Sequence, residues 1–380
     1  MATNGITRSL REYPAASRLS LLSVMVCAAF AAACSESTSP KQTQPPTWTS
    51  LVAATYTTCG LRSDGSAYCW GMNNKGQLGR GDSADANTPA AVKGGLSFAS
   101  LGTDGLSTCG LTTRGAEYCW GWNQATQRGD VTPVAAATGG LTFTSLAVAS
   151  DYTCGLTSSG AAYCSSGDSM PVAVGGGLSF ASLTGHGSHI CGLTRGGVAY
   201  CWRGNASGEL GDSSTTFSAA PVAVAGGLTF AMLTAGNEHT CGLTGAGAAY
   251  CWGANTMGEL GRGDTVSATT PAAVTGGLTF ASLAAGDFHT CGLTGSGAAY
   301  CWGSNWLGEL GDGMEGSGTE SPTPVAVLGG LTFASLAGGQ LHTCGVTSAG
   351  AAYCWGSNGN GQLGAGPSGD HLTPTPVVNP

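Results

Sequence analysis

The residues with the clearest capacity for chemistry in this sequence are its cysteines, which occur as seven regularly spaced pairs. Nine residues separate the two members of every pair, and a glycine-containing turn lies between them. Because both cysteines are equidistant from the turn, a hairpin places them opposite each other, with Cα atoms about 4.5–5.5 Å apart. That separation lies within the disulfide range of about 4.4–6.8 Å. The pattern predicts seven cross-strand disulfides: Cys59–Cys69, Cys109–Cys119, Cys154–Cys164, Cys191–Cys201, Cys241–Cys251, Cys291–Cys301 and Cys344–Cys354.

Two other roles for these cysteines stay open at this stage. Zinc sites usually combine two closely spaced cysteine pairs, or cysteine with histidine, whereas each hairpin here offers only two ligands. Free thiols would instead pack as small buried apolar residues. The same spacing in all seven units favours disulfides, and disulfides require an oxidising compartment.

The cysteine pairs mark an internal repeat of 37–53 residues, a period typical of repeat architectures. In the sixth unit, apolar residues alternate through Phe280 and Leu283 and again through Tyr300 and Trp302. Alternation in short runs interrupted by glycine is typical of β-strands. A further run at 271–274 precedes this unit, so each unit is predicted to hold four short strands.

Seven such units predict an all-β fold, a seven-bladed β-propeller of four-stranded blades. A small sheet needs neighbours on both faces, and radial closure hides the sheet edges. An open solenoid would need polar capping repeats, and none is visible in the sequence. The run at 374–378 matches the strand that precedes the other units, and Trp48 begins its unit without one. We therefore expect the C-terminal strand to join the N-terminal blade and so close the ring.

The N-terminal segment has the features of an export signal. Arg8, Arg11 and Arg18 precede an apolar run over 19–33, which is the order of charge and hydrophobicity in a secretory signal. The run is short for a transmembrane helix. It ends in Ala31-Ala-Ala-Cys34, which resembles a bacterial lipoprotein signal, in which the cysteine is lipidated.

An ordinary Ala-x-Ala cleavage site with a free Cys34 is the alternative. The cysteine tally favours lipidation, because Cys27 would leave with the signal and every other cysteine would have a partner. The polar, proline-containing stretch after Cys34 is typical of a flexible tether. We expect a signal peptide at 1–33, a lipidated Cys34 and tether at 34–47, and the propeller at 48–380. By analogy with such signals, Ser35 indicates the outer membrane.

The segment 287–313 resembles the repeats of the regulator of chromosome condensation family. It matches their His-Thr and Tyr-x-Trp-Gly-x-Asn-x-x-Gly-Gln-Leu-Gly elements with His289-Thr, Tyr300-Cys-Trp-Gly-Ser-Asn and Gly308-Glu-Leu-Gly. The resemblance covers about residues 48–380 and implies a seven-bladed propeller. The added cysteines resemble a secreted bacterial variant of the family. Because family members differ in activity, the fold does not fix the function, and nuclear nucleotide exchange does not suit an exported chain.

Two units depart from the repeat. The third reads Tyr163-Cys-Ser-Ser-Gly167 and lacks both the Trp-Gly and the following Gly-x-Leu-Gly loop, and the second is shortened after Trp120. We expect these two blades to have trimmed loops on one face.

Several polar residues recur at fixed repeat positions. A ring of histidines at His189, His239, His289 and His342 would be able to bind metal, but capping of backbone groups within each blade is favoured, and no metal site is predicted. Glu209, Glu259 and Glu309 are read as solvated loop contacts. Arg-Gly-Asp tripeptides at 80–82, 128–130 and 262–264 lie in the repeat's own turn, so an adhesive role is disfavoured.

No catalytic motif is found, and no cofactor is predicted. Beyond Cys34 the chain keeps 10 of its 13 basic and 20 of its 21 acidic side chains, a formal charge of −10. That charge disfavours nucleic acid and anionic membrane surfaces. We expect membrane contact through lipid alone, and a monomer.

Apolar residues in the variable loop positions are the candidates for partner binding, because loops on rigid scaffolds carry recognition and tryptophan is enriched in hot spots. We interpret the chain as a non-catalytic cell-envelope binding or scaffold propeller, with a protein or another envelope macromolecule as its partner. An enzyme with its site at the mouth of the central channel and a purely structural surface protein are the alternatives. The candidate partner-binding residues are Met72, Trp122, Met257, Trp306 and Leu307.

Overall fold

The structure, a computed structural model, describes residues 47–380 apart from 124–126, 151, 168 and 368. The predicted signal, the lipidation site Cys34 and the tether up to residue 46 lie outside the described residues. Strands in the described part form seven four-stranded antiparallel sheets, which confirms the all-β, seven-bladed propeller. No helix among the described residues is long and apolar enough to cross a membrane.

Each blade contributes four consecutive strands. The first strands of blades 1 to 7 are β1 (Trp48–Ala54), β5 (Phe98–Thr103), β9 (Ser145–Ala149), β13 (Phe180–His186), β17 (Met232–Ala235), β21 (Phe280–Ala285) and β25 (Phe333–Gly338). The second strands are β2 (Thr57–Arg62), β6 (Ser107–Thr112), β10 (Tyr152–Leu156), β14 (His189–Thr194), β18 (His239–Leu243), β22 (His289–Thr294) and β26 (His342–Thr347). The third strands are β3 (Ala67–Gly71), β7 (Glu117–Asn123), β11 (Ala162–Ser165), β15 (Ala199–Arg203), β19 (Ala249–Gly253), β23 (Ala299–Gly303) and β27 (Ala352–Gly356). The fourth strands are β4 (Ala86–Ala91), β8 (Arg128–Ala135), β12 (Val172–Ala173), β16 (Ser218–Ala223), β20 (Ala268–Ala273), β24 (Ser321–Ala326) and β28 (His371–Pro376).

The cysteine hairpins pair as predicted. Each hairpin of second and third strands places its two cysteines directly opposite, as in Cys291↔Cys301. All seven disulfides are formed, with Cα atoms 4.0–4.1 Å apart. That is shorter than we expected and agrees with the closer, non-hydrogen-bonded type of antiparallel pair. Seven disulfides place the protein in an oxidising, extracytoplasmic environment.

The expectation that the C-terminal strand joins the N-terminal blade is wrong. Strand β28 pairs with β27, and β1 opens a blade that is complete in itself. The proline-containing run is the outer, fourth strand of the preceding blade, because the long loop after the third strand returns it to that strand, as in Cys251↔Ala272. The ring instead closes by contact of β1 with β25 and β26, including a bond from Trp48 N to Gly350 O of 3.1 Å.

The alternating strand directions give the propeller two distinct faces. The turn between strands one and two and the loop between strands three and four lie together, as the bond from Met72 N to Tyr56 O shows. We call this side the loop face. The cysteine-hairpin turns and the linkers between blades form the opposite side, the hairpin face, as the bond from Phe280 N to Gly247 O shows.

Packing against an aromatic ring requires a glycine in each Cys-Gly dipeptide. In blade 6 a Cβ on Gly292 would lie 2.5 Å from the ring of Phe280, which stacks over the glycine from the neighbouring strand. The same aromatic-on-glycine contact occurs in every blade, with Trp48 replacing phenylalanine in blade 1. Phe280 also lies 5.7 Å from Trp302, ring centroid to centroid, so the glycine lets two large aromatic rings share the narrow space between blades 5 and 6.

We predict that Gly292→Ala lowers the free energy of unfolding by about 1–3 kcal/mol, because the added methyl group overpacks the Phe280 ring. Gly295→Ala is the matched control, since a Cβ there meets no atom within 4 Å. The control should change stability by less than about 0.5 kcal/mol. Denaturant titration of both variants checks the prediction, and equal stabilities would contradict it.

Candidate functional site

Adjacent blades are joined through one backbone carbonyl, which we call the junction lock. The carbonyl oxygen of the loop residue in Gly-(Gln/Glu)-Leu-Gly accepts two bonds from the next blade, one from a tryptophan Nε1–H and one from a threonine hydroxyl. Both bonds are 2.8–3.0 Å long, and the indoles are buried. The lock occurs at five junctions, with the carbonyls of Gln77, Glu209, Glu259, Glu309 and Gln362.

The recurring histidines extend four of these locks. The Nε2 atoms of His189, His239, His289 and His342 lie 2.8–2.9 Å from the lock threonine of the next blade. Because each threonine donates its own proton to the lock carbonyl, the histidine must donate from Nε2. The histidines therefore bridge blades, and the expectation that they cap groups within their own blade is wrong.

These imidazoles are kept neutral. Burial lowers the pKa of His189, His239 and His342 to about 3 and also lowers the pKa of His289. Each Nδ1 is buried without a hydrogen-bond partner among the described residues. Their Nε2 atoms are committed to different junctions, so the four rings do not converge on one site.

The loop glutamates are buried, which overturns their interpretation as solvated contacts. Glu209, Glu259 and Glu309 are at most 2 % exposed. Their carboxylates accept bonds from backbone N–H groups of the same loop, such as Met257 N to Glu259 at 2.9 Å. Burial raises the pKa of Glu209 and Glu259 despite these bonds. Their role is to fix the loop whose carbonyl forms the lock.

The first strands surround a central channel of about 290 Å³ lined mainly by small and apolar residues. His186 is the one ionisable residue among its described lining residues, and its Nε2 lies 2.6 Å from Asp287 Oδ1. Burial alone would lower the pKa of His186, but the hydrogen bond and charge of Asp287, with the charge of Asp104, outweigh it and raise the pKa. The pair links blades 4 and 6 across blade 5, and the sequence analysis missed it.

A second cavity, of about 90 Å³, lies between blades 2 and 3. Both trimmed loops predicted from the sequence contribute to it. In blade 2 the sequence lacks the Gly-(Gln/Glu)-Leu-Gly loop, and Trp122 pairs with Gly129 in its place. No lock carbonyl of the described blade 2 residues bonds to blade 3. Blade 3 has Ser165 at the tryptophan position, and this serine lines the cavity.

A buried acid, Glu117, lines this cavity. Glu117 is 5 % exposed, and burial raises its pKa to about 7. Its Oε1 lies 3.6 Å from Cys119 Sγ, and these atoms lie within 4.8 Å of Cys109 Sγ. Because the two sulfurs are joined in a disulfide, they are not available as metal ligands. The signal for Glu117 was in the sequence, since the other six units have alanine at this position.

Four of the predicted partner-binding residues follow third strands on the loop face and Trp122 lies near the end of third strand β7, but only one of the five is prominently exposed. Trp306 is 47 % exposed. Met72, Met257 and Leu307 are half-buried. Trp122 is also half-buried, and the Lys75 Nζ atom lies over its ring, 4.5 Å from the ring centroid.

The Arg-Gly-Asp turns at 80–82 and 262–264 are engaged internally. Arg80 Nε lies 2.7 Å from Asp82 Oδ1, and Arg262 Nη2 lies 2.9 Å from Asp264 Oδ2. In blade 2 the tripeptide 128–130 starts strand β8. These contacts fit the interpretation of the tripeptides as parts of the repeat turn.

Two family models match the chain. The first describes the regulator of chromosome condensation (RCC1) repeat and matches residues 64–100, 246–293 and 349–380. The second, also of this repeat, matches residues 49–77, 280–307 and 333–362. The matches fall in the blades that keep the full loop and the junction lock.

Solved structures of other proteins share the fold. Yeast RCC1 (Prp20), in its crystal structure with Kap60, is 20 % identical with a TM-score of 0.73, and the match covers 87 % of this chain and 85 % of that one. Human WBSCR16 is 16 % identical with a TM-score of 0.73, covering 83 % and 94 %. The ectodomain of the Physcomitrella patens receptor kinase CR4 is 23 % identical with a TM-score of 0.58, covering 82 % and 74 %.

We predict that the buried histidines make stability depend on pH. The pKa of His239 is about 3 in the folded protein and about 6.5 in the unfolded chain. The unfolded chain therefore binds more protons between these values, so stability is complete above about pH 6.5 and falls as the pH drops. His239→Thr, which introduces the residue that blade 1 has at Thr57, should flatten the slope by at most about 1.4 kcal/mol per pH unit.

Denaturant unfolding of the native protein and of His239→Thr at several pH values between 4 and 7.5 measures this slope. The comparison separates titration from packing, because lost packing shifts the whole curve without changing its slope. Parallel curves for the two proteins would contradict the prediction.

Proposed function

Since the chain belongs to the regulator of chromosome condensation repeat family, we propose that it is a non-catalytic binding propeller that recognises a protein, or another envelope macromolecule, through its loop face. Propellers of this kind commonly mediate protein interactions. Yeast RCC1 (Prp20) has been crystallised bound to Kap60, and its binding to Gsp1p and histones has been described. Those partners belong to that protein, and only the mode of action is carried over here.

The observation that carries the proposal is an arc of exposed apolar side chains on the loop face. Phe217, Val266, Trp306 and Met314 are 47–62 % exposed and lie in the long loops of blades 4, 5 and 6. Three consecutive blades thus present large apolar groups on one side of the molecule. Exposed apolar groups clustered within polar surroundings mark interaction sites, and aromatic anchors dominate binding energy.

The charge of the chain narrows the class of partner. A formal charge of −10 beyond Cys34 repels nucleic acid and anionic lipid surfaces. A neutral or basic protein surface with a pocket for an aromatic anchor suits the arc best. We propose that the protein acts as a monomer.

We propose further that the protein is held at the membrane by lipid on Cys34, at the outer membrane. The disulfides support an extracytoplasmic location, and the sequence before Cys34 supports an export signal of the lipoprotein type. The disulfides and the N-terminal sequence thus both support a location outside the cytoplasm. The proposal of a lipid on Cys34 depends on the sequence pattern alone.

An enzyme with its site at the channel mouth is the second candidate, and the His186–Asp287 pair favours it. A histidine oriented by a carboxylate is the usual partner of an activated nucleophile. However, among the described residues Asp287 is the only group that bonds to His186. The hydrogen bond and charge of Asp287 raise the pKa of His186 and so favour its protonated form, which is a poor base. The pair is therefore better suited to bracing blades 4 and 6.

We predict that Trp306→Ala weakens partner binding by at least about tenfold, as expected for an aromatic hot spot. Val198→Ala is the control, since Val198 is 40 % exposed and lies in the cysteine-hairpin turn between β14 and β15, on the hairpin face. Partners captured from the cell envelope by crosslinking are then titrated against both purified variants. Equal weakening by the two variants, or loss only in Val198→Ala, would place the binding surface elsewhere.

We also predict that the protein extracted from membranes begins at Cys34 and carries a diacyl or triacyl modification there. Intact mass before and after reduction with alkylation measures both lipid and disulfides. Fourteen thiols should become reactive only after reduction. A mature protein without lipid would refute the anchor and leave the propeller interpretation intact.

A further inference from the structure

One of the seven disulfides differs from the rest in its access to solvent. In five of the other blades both cysteines are 0 % exposed, and in blade 3 Cys154 is 0 % and Cys164 9 % exposed. In blade 2, Cys109 is 2 % exposed, whereas Cys119 is half-buried. Both line the cavity between blades 2 and 3, so a small molecule in that cavity can reach the Cys119 sulfur.

A proton donor lies beside this disulfide. The Glu117 carboxyl group is 3.6 Å from Cys119 Sγ and has no hydrogen-bond donor among the described residues, because a disulfide sulfur carries no proton. It is aimed into the cavity, where it is buried beside sulfur without a charged partner. An unpartnered buried carboxyl group lowers the stability of the fold unless it is protonated. Glu117 is the one acid at a position where the other six blades have alanine, which favours a functional reason for its presence.

A hydrogen-bond donor lies on the other sulfur. Thr153 Oγ1 of blade 3 is 3.8 Å from Cys109 Sγ. The threonines beside the first cysteine of blades 1, 4, 5 and 6 occupy a similar place, but they donate their protons to lock carbonyls. Blade 2 has no lock loop, and no carbonyl among the described residues accepts from Thr153. Its hydroxyl proton is therefore available to a developing thiolate at Cys109.

We propose that Cys109–Cys119 is a thiol-exchange site for a low-molecular-weight thiol, with Glu117 as proton donor and Thr153 as hydrogen-bond donor to the leaving sulfur. The incoming thiolate attacks Cys119 Sγ and forms a mixed disulfide with it. The Cys109–Cys119 bond breaks, and its electron pair goes to Cys109 Sγ. The Glu117 carboxylic acid then gives its proton to that thiolate.

A second thiol completes the reaction. Its thiolate attacks the small-molecule sulfur of the mixed disulfide and releases Cys119 as a thiolate, which takes a proton from solvent. In total, two small thiols are oxidised to one small disulfide, and the protein disulfide is reduced to two thiols. The reverse sequence restores the disulfide, so the site can respond to the thiol content of its surroundings.

The ionisation of Glu117 suits this role. Burial raises its pKa to about 7, so it is mostly protonated below neutral pH, about half protonated near pH 7 and mostly ionised above. No charge on a neighbouring element contributes to that shift. The ionisable groups around β7, in the cavity, the hairpin turn and strand β8, are Asp104, Arg114, Arg128, Asp130 and Tyr152, with Lys75 and Arg203 beyond them.

The test measures reduction of each disulfide separately in the oxidised full-length protein. L-cysteine is added, the reaction is quenched with an alkylating reagent at intervals, and peptide mass spectrometry follows all seven pairs. The ratio of the Cys109–Cys119 rate to the Cys241–Cys251 rate cancels the thiolate concentration of the reagent. We expect a ratio of at least about tenfold at pH 6, below the factor of about 10²–10⁴ that general acids supply in enzymes. The mixed disulfide should appear on Cys119.

Three variants separate proton donation from access. Glu117→Gln keeps the shape of the side chain and should lower the ratio at pH 6, while the ratios of variant and native protein converge above pH 8. Glu117→Ala introduces the residue that the other six blades have at this position. It should lower the ratio at pH 6 in the same way, and it serves as the second variant if glutamine disturbs the fold. Thr153→Val should lower the ratio at every pH. Equal rates for all seven pairs, mixed disulfide on Cys109, or a Glu117→Gln effect that does not change with pH would overturn the proposal.

Discussion

The ring depends on a single backbone carbonyl at each blade junction. A carbonyl oxygen has two acceptor sites, and in five junctions both are filled from the next blade, by an indole N–H and a threonine hydroxyl. Burial makes these bonds costly to break, because an unpaired buried donor loses its solvation without compensation. The buried leucine and glutamate or glutamine beside the carbonyl keep its loop in position. Much of the repeat's sequence signature is thus the set of residues needed to hold one oxygen atom.

The molecule departs from its own repeat where this oxygen is missing. Blade 2 pairs the end of its third strand directly with the fourth, at Trp122↔Gly129. Blade 3 has Ser165 in place of the tryptophan that would donate to a lock, and a cavity lies between the two blades. The same omission exposes Cys119 and leaves the Thr153 hydroxyl uncommitted. Blades 4 to 6, which have full loops, carry the exposed apolar arc on their loop face. The regular blades therefore hold the proposed docking surface, and the irregular junction holds the cavity beside the Cys109–Cys119 disulfide.

The features that recur in every repeat, the cysteine pairs and the strands, could be predicted from the sequence. Equal spacing about a glycine turn fixed each cysteine pair, and period-two alternation fixed the strands. The blade to which the fourth strand belongs was predicted wrongly. A proline-containing run between two units can pair with either unit as far as the sequence shows. The path of the long loop, which returns this run to the third strand of the preceding blade, decides between the two. The expectation for the histidines failed for a related reason. Their threonine partners lie a whole repeat away, and no pattern within one unit reports a contact between units. The glutamates do bond to their own loop, but the burial of that loop comes from the next blade, whose tryptophan bonds to it.

The candidate sites were less accessible from the sequence than the fold. Trp306 was found because a tryptophan in a variable loop position stands out. Val266 was overlooked, since its exposure follows from the loop path. His186 and Asp287 lie in blades 4 and 6, 101 residues apart in sequence, and only the arrangement of consecutive blades around the channel brings them together. Glu117 was detectable as a single acid among six alanines, but its meaning depends on the cavity beside it.

The placement of the disulfides has a consequence for biogenesis. Each bond joins cysteines ten positions apart, and from Cys59 onward the partner of each cysteine is its nearest neighbour in sequence. Joining the thiols in the order in which they occur along the chain, each to the next, therefore yields the native set of bonds without any later shuffling.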